Sequence, residues 1–219
     1  MVLLGRDQVK TELVAADLRV RSPQSTITVQ TTDFLDPSRI REWANRIVAE
    51  GLPDIVLIAH GSLPDQMACQ QDLGLCEEAL AVNGVSPALF AEAFARHMQQ
   101  ADTGRLAIIG SVAGDRGRKS NYIYGAAKGL VTRYAQGLQH RLAGTNVKVI
   151  LIKPGPTDTP MTAQLKCKGA KLADVGTVAQ TIVNGIGRGT PVVYAPGKWA
   201  LIMMVIRHLP LRIFNILNI

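Results

Sequence analysis

Arg105-Leu106-Ala107-Ile108-Ile109-Gly110-Ser111, with Tyr124-Gly125-Ala126-Ala127-Lys128 following, decides the fold. A short all-apolar run ending at glycine reads as a strand buried on both faces, as in parallel sheets. The segment that begins at Tyr124 carries helical periodicity to Leu142. Strand, loop and helix in that order form the repeating unit of an α/β domain.

The same unit recurs on either side. Upstream, Val2–Leu4, Thr26–Thr32 and Asp54–Ala59 read as strands. Helices fit Gln8–Arg19, with Val9, Leu13 and Ala16 on one face, then Pro37–Ala49 and Leu75–Gln99. Downstream, Val147–Ile152 and Pro191–Tyr194 read as strands around a helix at Asp174–Gly185. Alternation of this kind predicts a doubly wound, Rossmann-like parallel sheet with right-handed crossovers. At 219 residues the chain suits one such domain over residues 1–197, followed by a tail at 198–219.

Composition narrows the function classes. With 47% apolar and 19% charged residues, the chain is globular and not disordered. Cys69, Cys76 and Cys167 form no CxxC pair, so no zinc ribbon, disulfide framework or other metal site is expected. The net charge of +7 is unevenly placed. Residues 1–102 hold 8 Lys and Arg against 14 Asp and Glu, and residues 103–219 hold 16 against 3. A basic second half suits an anionic cofactor, a phosphate-bearing substrate or a lipid surface. No nucleic-acid partner is expected. The opening Met1-Val2-Leu3-Leu4 is too short for a secretory apolar region, so a cytoplasmic location is expected.

Ser111 lies just past the C-terminal end of a strand, the edge where open α/β sheets bind ligands. Tyr124 and Lys128 are one helical turn apart and share a face. A tyrosine is a poor acid–base group at neutral pH, and a neighbouring ammonium is expected to lower its pKa. A serine hydroxyl beside the phenol can polarise a ketone oxygen while the phenol protonates it.

The spacing of Ser111, Tyr124 and Lys128, with Asn83 on the preceding helix and a strand ending at Pro154-Gly155, resembles the short-chain dehydrogenase/reductase family over nearly the whole chain. The resemblance implies that Tyr124 is the catalytic acid/base and that Lys128 lowers its pKa and binds the nicotinamide ribose. It implies that Ser111 orients the substrate and that Asn83 completes a proton relay. Pro154, Gly155, Thr157 and Thr159 are implied to hold the nicotinamide and phosphates, with Ala59 and Gly61 in the loop beside them. Arg6 after the first strand implies NADP(H), with NAD(H) the alternative, and Asp33 implies an adenine contact. A homo-oligomer is implied as well.

Two departures stand out. Ile58-Ala59-His60-Gly61 replaces the family's Asn-Asn-Ala-Gly, and His60 reads as an adapted loop residue, not a base. No GxxxGxG turn precedes Val2, so the sheet is expected to lack the family's first strand and helix. A start codon placed too late would account for this, and weak dinucleotide binding is expected of the chain as it stands. The dense run Gly185-Ile186-Gly187-Arg188-Gly189 follows a helix and reads as its cap.

The tail places eight apolar residues, Trp199–Ile206, between Lys198 and Arg207, with Arg212 beyond. It is too short to span a bilayer and reads as an element lying on a membrane surface. With the stretches Ser111–Arg118 and Tyr194–Gly197, it resembles the decaprenylphosphoryl-2-keto-arabinose reductase-like branch of the family. That resemblance implies a keto sugar on a polyprenyl phosphate, in cell-wall synthesis. Arg116, Arg118, Lys119, Lys166, Lys168 and Lys171 are candidate phosphate contacts. Two other readings stay open: a soluble reductase of an unrelated small ketone or alcohol, and a non-catalytic binding protein that has lost its cofactor.

Overall fold

A computed structural model describes residues 1–217. In chain order the elements are β1 Val2–Gly5, α1 Gln8–Arg21, β2 Thr28–Thr31, α2 Pro37–Glu50, β3 Ile55–Ile58, α3 Gln66–Gln71, α4 Leu73–Leu80 and α5 Ser86–Ala101. There follow β4 Arg105–Ile109, α6 Tyr122–Arg141, β5 Lys148–Pro154, α7 Ala163–Cys167, α8 Val175–Arg188, β6 Val192–Ala195, α9 Lys198–His208 and α10 Leu211–Phe214. Every strand pair is parallel. The strands form a β1-β2 pair and a sheet ordered β3-β4-β5-β6, and among the described residues no ladder joins the two. This is the expected Rossmann-like α/β fold.

Alternation along the central strands builds two cores. Leu106 and Ile108 of β4, with Val149 and Leu151 of β5, face α2, α5 and α6, where Trp43, Phe90, Phe94 and Val131 meet them. Ala107, Ile150 and Ile152 face the other way, onto Ile186 of α8. Each large side chain fully buried in this way contributes about 1.5–3 kcal/mol, so the site-bearing strands β4 and β5 are the most firmly held.

Two expectations fail on the second face. The β3 strand is not buried on both sides, since Ile55 and Leu57 remain about half exposed. On α1 the expected face of Val9, Leu13 and Ala16 is exposed, and Ala15 is the buried residue instead. The cause is shared: among the described residues α1 packs on β1 and β2, and on its side of the sheet no helix lies beside it over β3.

The expected helix Leu75–Gln99 is two helices joined by a π-helical turn at Ala81–Val85. The widened turn carries Asn83, which is wholly buried. The tail is not separate from the domain. Met203 of α9 is buried, and the Arg116 guanidinium donates to the carbonyls of Ile206 (2.6 Å) and Leu209 (2.7 Å), capping the helix C-terminus. Phe214 stacks on that guanidinium at 3.8 Å. The outer side of α9 and α10 exposes Leu201, Met204, Val205, Leu211 and Ile213. Residues 218–219 of the expected tail lie outside the described residues. Among the described residues no helix is long and apolar enough to cross a membrane.

Candidate active site

The C-terminal ends of β3, β4 and β5 open into a cavity of about 350 Å³. Ser111 reaches it because Gly110 ends β4 and the chain turns at once into a 3₁₀ turn, Val112–Asp115, whose Ala113 N–H the Ser111 hydroxyl caps at 3.1 Å. Tyr124 and Lys128 arrive on the first turns of α6. Small residues let that helix come close. A Cβ on Gly114 would lie 2.5 Å from the Lys128 carbonyl oxygen, and one on Gly84 would lie 3.1 Å from that of Ala127.

Of the twelve residues expected from sequence to act in catalysis or hold the cofactor, ten line this one cavity: Ser111, Tyr124, Lys128, Asn83, Ala59, Gly61, Pro154, Gly155, Thr157 and Thr159. Two do not. Arg6 is exposed beyond the end of β1, though near enough to His60 to depress its pKa. Asp33 is exposed, caps its own turn through the Leu35 N–H (2.8 Å), and lines a separate smaller cavity with Arg39 and Arg46.

The electrostatics differ from expectation. Burial is the largest influence on Tyr124 and pushes its pKa up, and hydrogen bonding from the Ser111 hydroxyl eases it back. The expected lowering by Lys128 is not the dominant effect. The Lys128 Nζ sits 5.8 Å from the Tyr124 ring centroid and donates instead to the Ile109 carbonyl at 3.1 Å. Its own burial lowers it to about 8. Desolvation acts on both groups and favours the neutral form of each.

Asn83 is already engaged. Its Oδ1 accepts from the Ser62 N–H (2.8 Å) and its Nδ2 donates to the Ala79 carbonyl (2.9 Å), so it fixes the loop after β3. A Cβ on Gly61 would stand 2.8 Å from that Oδ1 and 3.5 Å from Lys128 Nζ, which explains why glycine is found there. His60 bonds Ser86 at 2.8 Å and meets Phe34 and Phe90 edge-on. Burial, then the Lys128 and Arg6 charges, lower its pKa to about 4, so it is a neutral packing residue at pH 7.

Sequence inspection missed a buried network beneath the Ser111 turn. Lys153 at the end of β5 pairs with Asp115, both side chains almost wholly buried, and the Tyr194 hydroxyl donates to the same carboxylate at 2.8 Å. Burial first, then Asp115, push Tyr194 up to about 12. The overlooked signal was a single lysine closing an otherwise apolar strand, Val149-Ile150-Leu151-Ile152-Lys153.

The cavity fits a nicotinamide riboside. Lys128 is a buried amine with one backbone acceptor and no carboxylate partner among the described residues, which leaves N–H groups for a sugar diol. Gly61 and Gly155 leave the walls free of side chains, and a Cβ on Gly155 would collide with the Trp199 indole.

Residues 1–169 match the family model described as short chain dehydrogenase. An uncharacterised oxidoreductase of Streptomyces coelicolor is 33% identical over 185 residues, covering 84% of this chain and 72% of the relative. One of Mycobacterium tuberculosis is 31% identical over 220 residues, covering 96% and 84%. In solved structures, a short-chain dehydrogenase from Sphingobium yanoikuyae in complex with NADPH superposes with a TM-score of 0.80 at 23% identity, covering 96% of this chain and 86% of that one. The bulky-bulky ketone specific alcohol dehydrogenase of Comamonas testosteroni gives 0.77 at 23% identity, covering 96% and 84%. At such identities the structural likeness speaks for the fold alone. The family match spans most of the chain, and the chain belongs to the short chain dehydrogenase family. It is an NAD(P)-dependent oxidoreductase.

Proposed function

We propose that this short chain dehydrogenase is an NADP(H)-dependent reductase of a lipid-linked carbonyl, a keto sugar carried on a polyprenyl phosphate, working at a membrane surface in cell-wall synthesis. The observation that carries the reductase reading is the meeting of Ser111, Tyr124 and Lys128 in one cavity at the sheet's C-terminal edge.

Bound NADPH would supply the hydride that reduces the carbonyl carbon. Lys128 and Tyr124 would hold its ribose, with Ala59, Gly61, Pro154, Gly155, Thr157 and Thr159 around the nicotinamide. Arg6 supports the choice of NADP(H), because a guanidinium beyond β1 suits a 2′-phosphate better than a second hydroxyl. Asp33 is assigned to the adenine end. Tyr124 releases its phenolic proton to the substrate oxygen, and Ser111 donates a hydrogen bond to that oxygen as negative charge develops on it. The ketone gains a hydride at carbon and a proton at oxygen and leaves as an alcohol. Burial keeps Tyr124 protonated at neutral pH, which suits the reducing direction. Asn83 holds the loop after β3 and would take part in returning a proton to the phenol.

Lipid and membrane are supported by two features. The cavity carries an apolar wall of Met161, Leu165, Val178 and Ile182. The exposed apolar side of α9 and α10 is flanked by Lys198, Arg207 and Arg212, as in helices that lie in an anionic bilayer surface. As in the family, a homo-oligomer is expected.

The test is initial-rate reduction of a geranyl-phosphate-linked keto pentose and of cyclohexanone, each with NADPH and NADH, beside flotation with anionic liposomes. Faster turnover of the lipid-linked ketone with NADPH, and protein in the lipid fraction, are expected. Preference for cyclohexanone or NADH, or protein left below the vesicles, contradicts the corresponding part of the proposal.

A further inference from the structure

Six basic side chains of the positive second half were candidates for a phosphate, and the structure separates them. Arg116 is committed to the carbonyls that end α9 and to the Phe214 ring. Lys166 pairs with Asp158 at 2.6 Å on the surface. Lys119, Lys168 and Lys171 are exposed and do not reach the cavity. Arg118 alone among the six lines the cavity that holds Tyr124.

Arg118 is also unmatched. Its Nε is buried without a hydrogen-bond partner, and among the described residues no carboxylate forms an ion pair with it. Burial depresses even the guanidinium pKa, though arginine stays charged in any case. A partly buried cation with no counter-charge carries part of the cost of desolvation, and an entering anion offsets it. Asn121 lies one turn on, its N–H bonded to the Arg118 carbonyl at 3.1 Å. Its Oδ1 is likewise buried without a partner and also lines the cavity. An acceptor beside a cation suits a ligand carrying both an oxyanion and a hydroxyl. The same cavity is also lined by the apolar side chains of Met161, Leu165, Val178 and Ile182.

We infer that Arg118 and Asn121 form an anion subsite of the reducing cavity, and that Arg118 selects carbonyl substrates bearing a phosphate group. The inference rests on the reading of that cavity as the reductase site. Arg118 makes a charge-assisted contact with the phosphate, Asn121 accepts from a neighbouring hydroxyl, and Tyr124, three residues further along the same segment, meets the carbonyl.

The test is calorimetric titration of matched probes: geranyl phosphate against geraniol, and dihydroxyacetone phosphate against dihydroxyacetone. Wild-type protein is expected to bind each phosphate about tenfold or more tightly than its alcohol, the size expected of one hydrogen bond to a charged group. Arg118→Gln brings both ratios close to one, and Arg118→Lys, which keeps the charge, retains part of the preference. Preference in the geranyl pair alone assigns the subsite to lipid phosphates; preference in both assigns it to phosphates whatever they carry. Equal binding of phosphate and alcohol by the wild type, or an unchanged ratio in a folded Arg118→Gln protein, overturns the inference. If the phosphate preference holds while NADPH is not consumed with any ketone, the reductase reading falls and the anion subsite stands.

Discussion

The Lys128 ammonium donates to the carbonyl of Ile109, 3.1 Å away, and so ties the first turns of α6 to the strand that delivers Ser111. The bond is made inside the protein, by a side chain that is 3% exposed. It places the charge beside the reacting cavity and draws it away from the phenol it was expected to acidify.

That position makes Lys128 costly to the fold. Its folded pKa of about 8 lies below the ordinary 10.5 because burial disfavours the ammonium. Between pH 8 and 10.5 the unfolded lysine keeps a proton that the folded one has released, so stability rises with pH across that window. Lys128→Met is expected to be more stable than wild type by about 1–3 kcal/mol at pH 7, with the advantage shrinking toward pH 10. Urea unfolding at a series of pH values checks this; a less stable Met variant at pH 7 contradicts it.

His60 imposes a limit on the acidic side. Its folded pKa of about 4 against an ordinary 6.5 means that the unfolded chain takes up a proton first as pH falls. Stability carried by the neutral ring is complete above pH 6.5 and is lost as pH drops toward 4, up to about 3 kcal/mol in all. His60→Gln should flatten that slope in denaturation curves between pH 7 and 4. An unchanged slope would place the titration elsewhere.

Asp115 holds the turn after Ser111 through Lys153 and Tyr194. Asp115→Ala leaves a buried ammonium unpaired and is expected to cost about 3–5 kcal/mol. Adding Lys153→Met should recover most of that loss, since it removes the stranded charge. Chemical denaturation of the single and double variants decides it; equal instability of both would mean that the network does more than pair charges.

The sheet and the site were legible to different depths. The strands β4 and β5 read correctly because they are covered on both faces, and an all-apolar run encodes that cover. The same pattern misled at β3, where Ile55 and Leu57 stay half exposed, because hydrophobicity records what a strand can bury and not what is present to bury it. Ser111, Tyr124 and Lys128 were visible through spacing and resemblance, and the cavity brings them together. The pKa balance was not visible, because desolvation depends on packing from the β3 loop and from β4, far away in sequence. The Asp115–Lys153 pair spans two elements for the same reason, and Arg116 could be separated from Arg118 only by seeing which carbonyls it caps.

The most direct measurement compares NADPH oxidation by wild-type protein and Tyr124→Phe at high cofactor concentration, with the same carbonyl substrate. Loss of the phenolic proton should lower turnover by about 10²–10⁴-fold while the variant still folds and binds substrate. Turnover at the wild-type level without the phenol would show that the proton comes from another group.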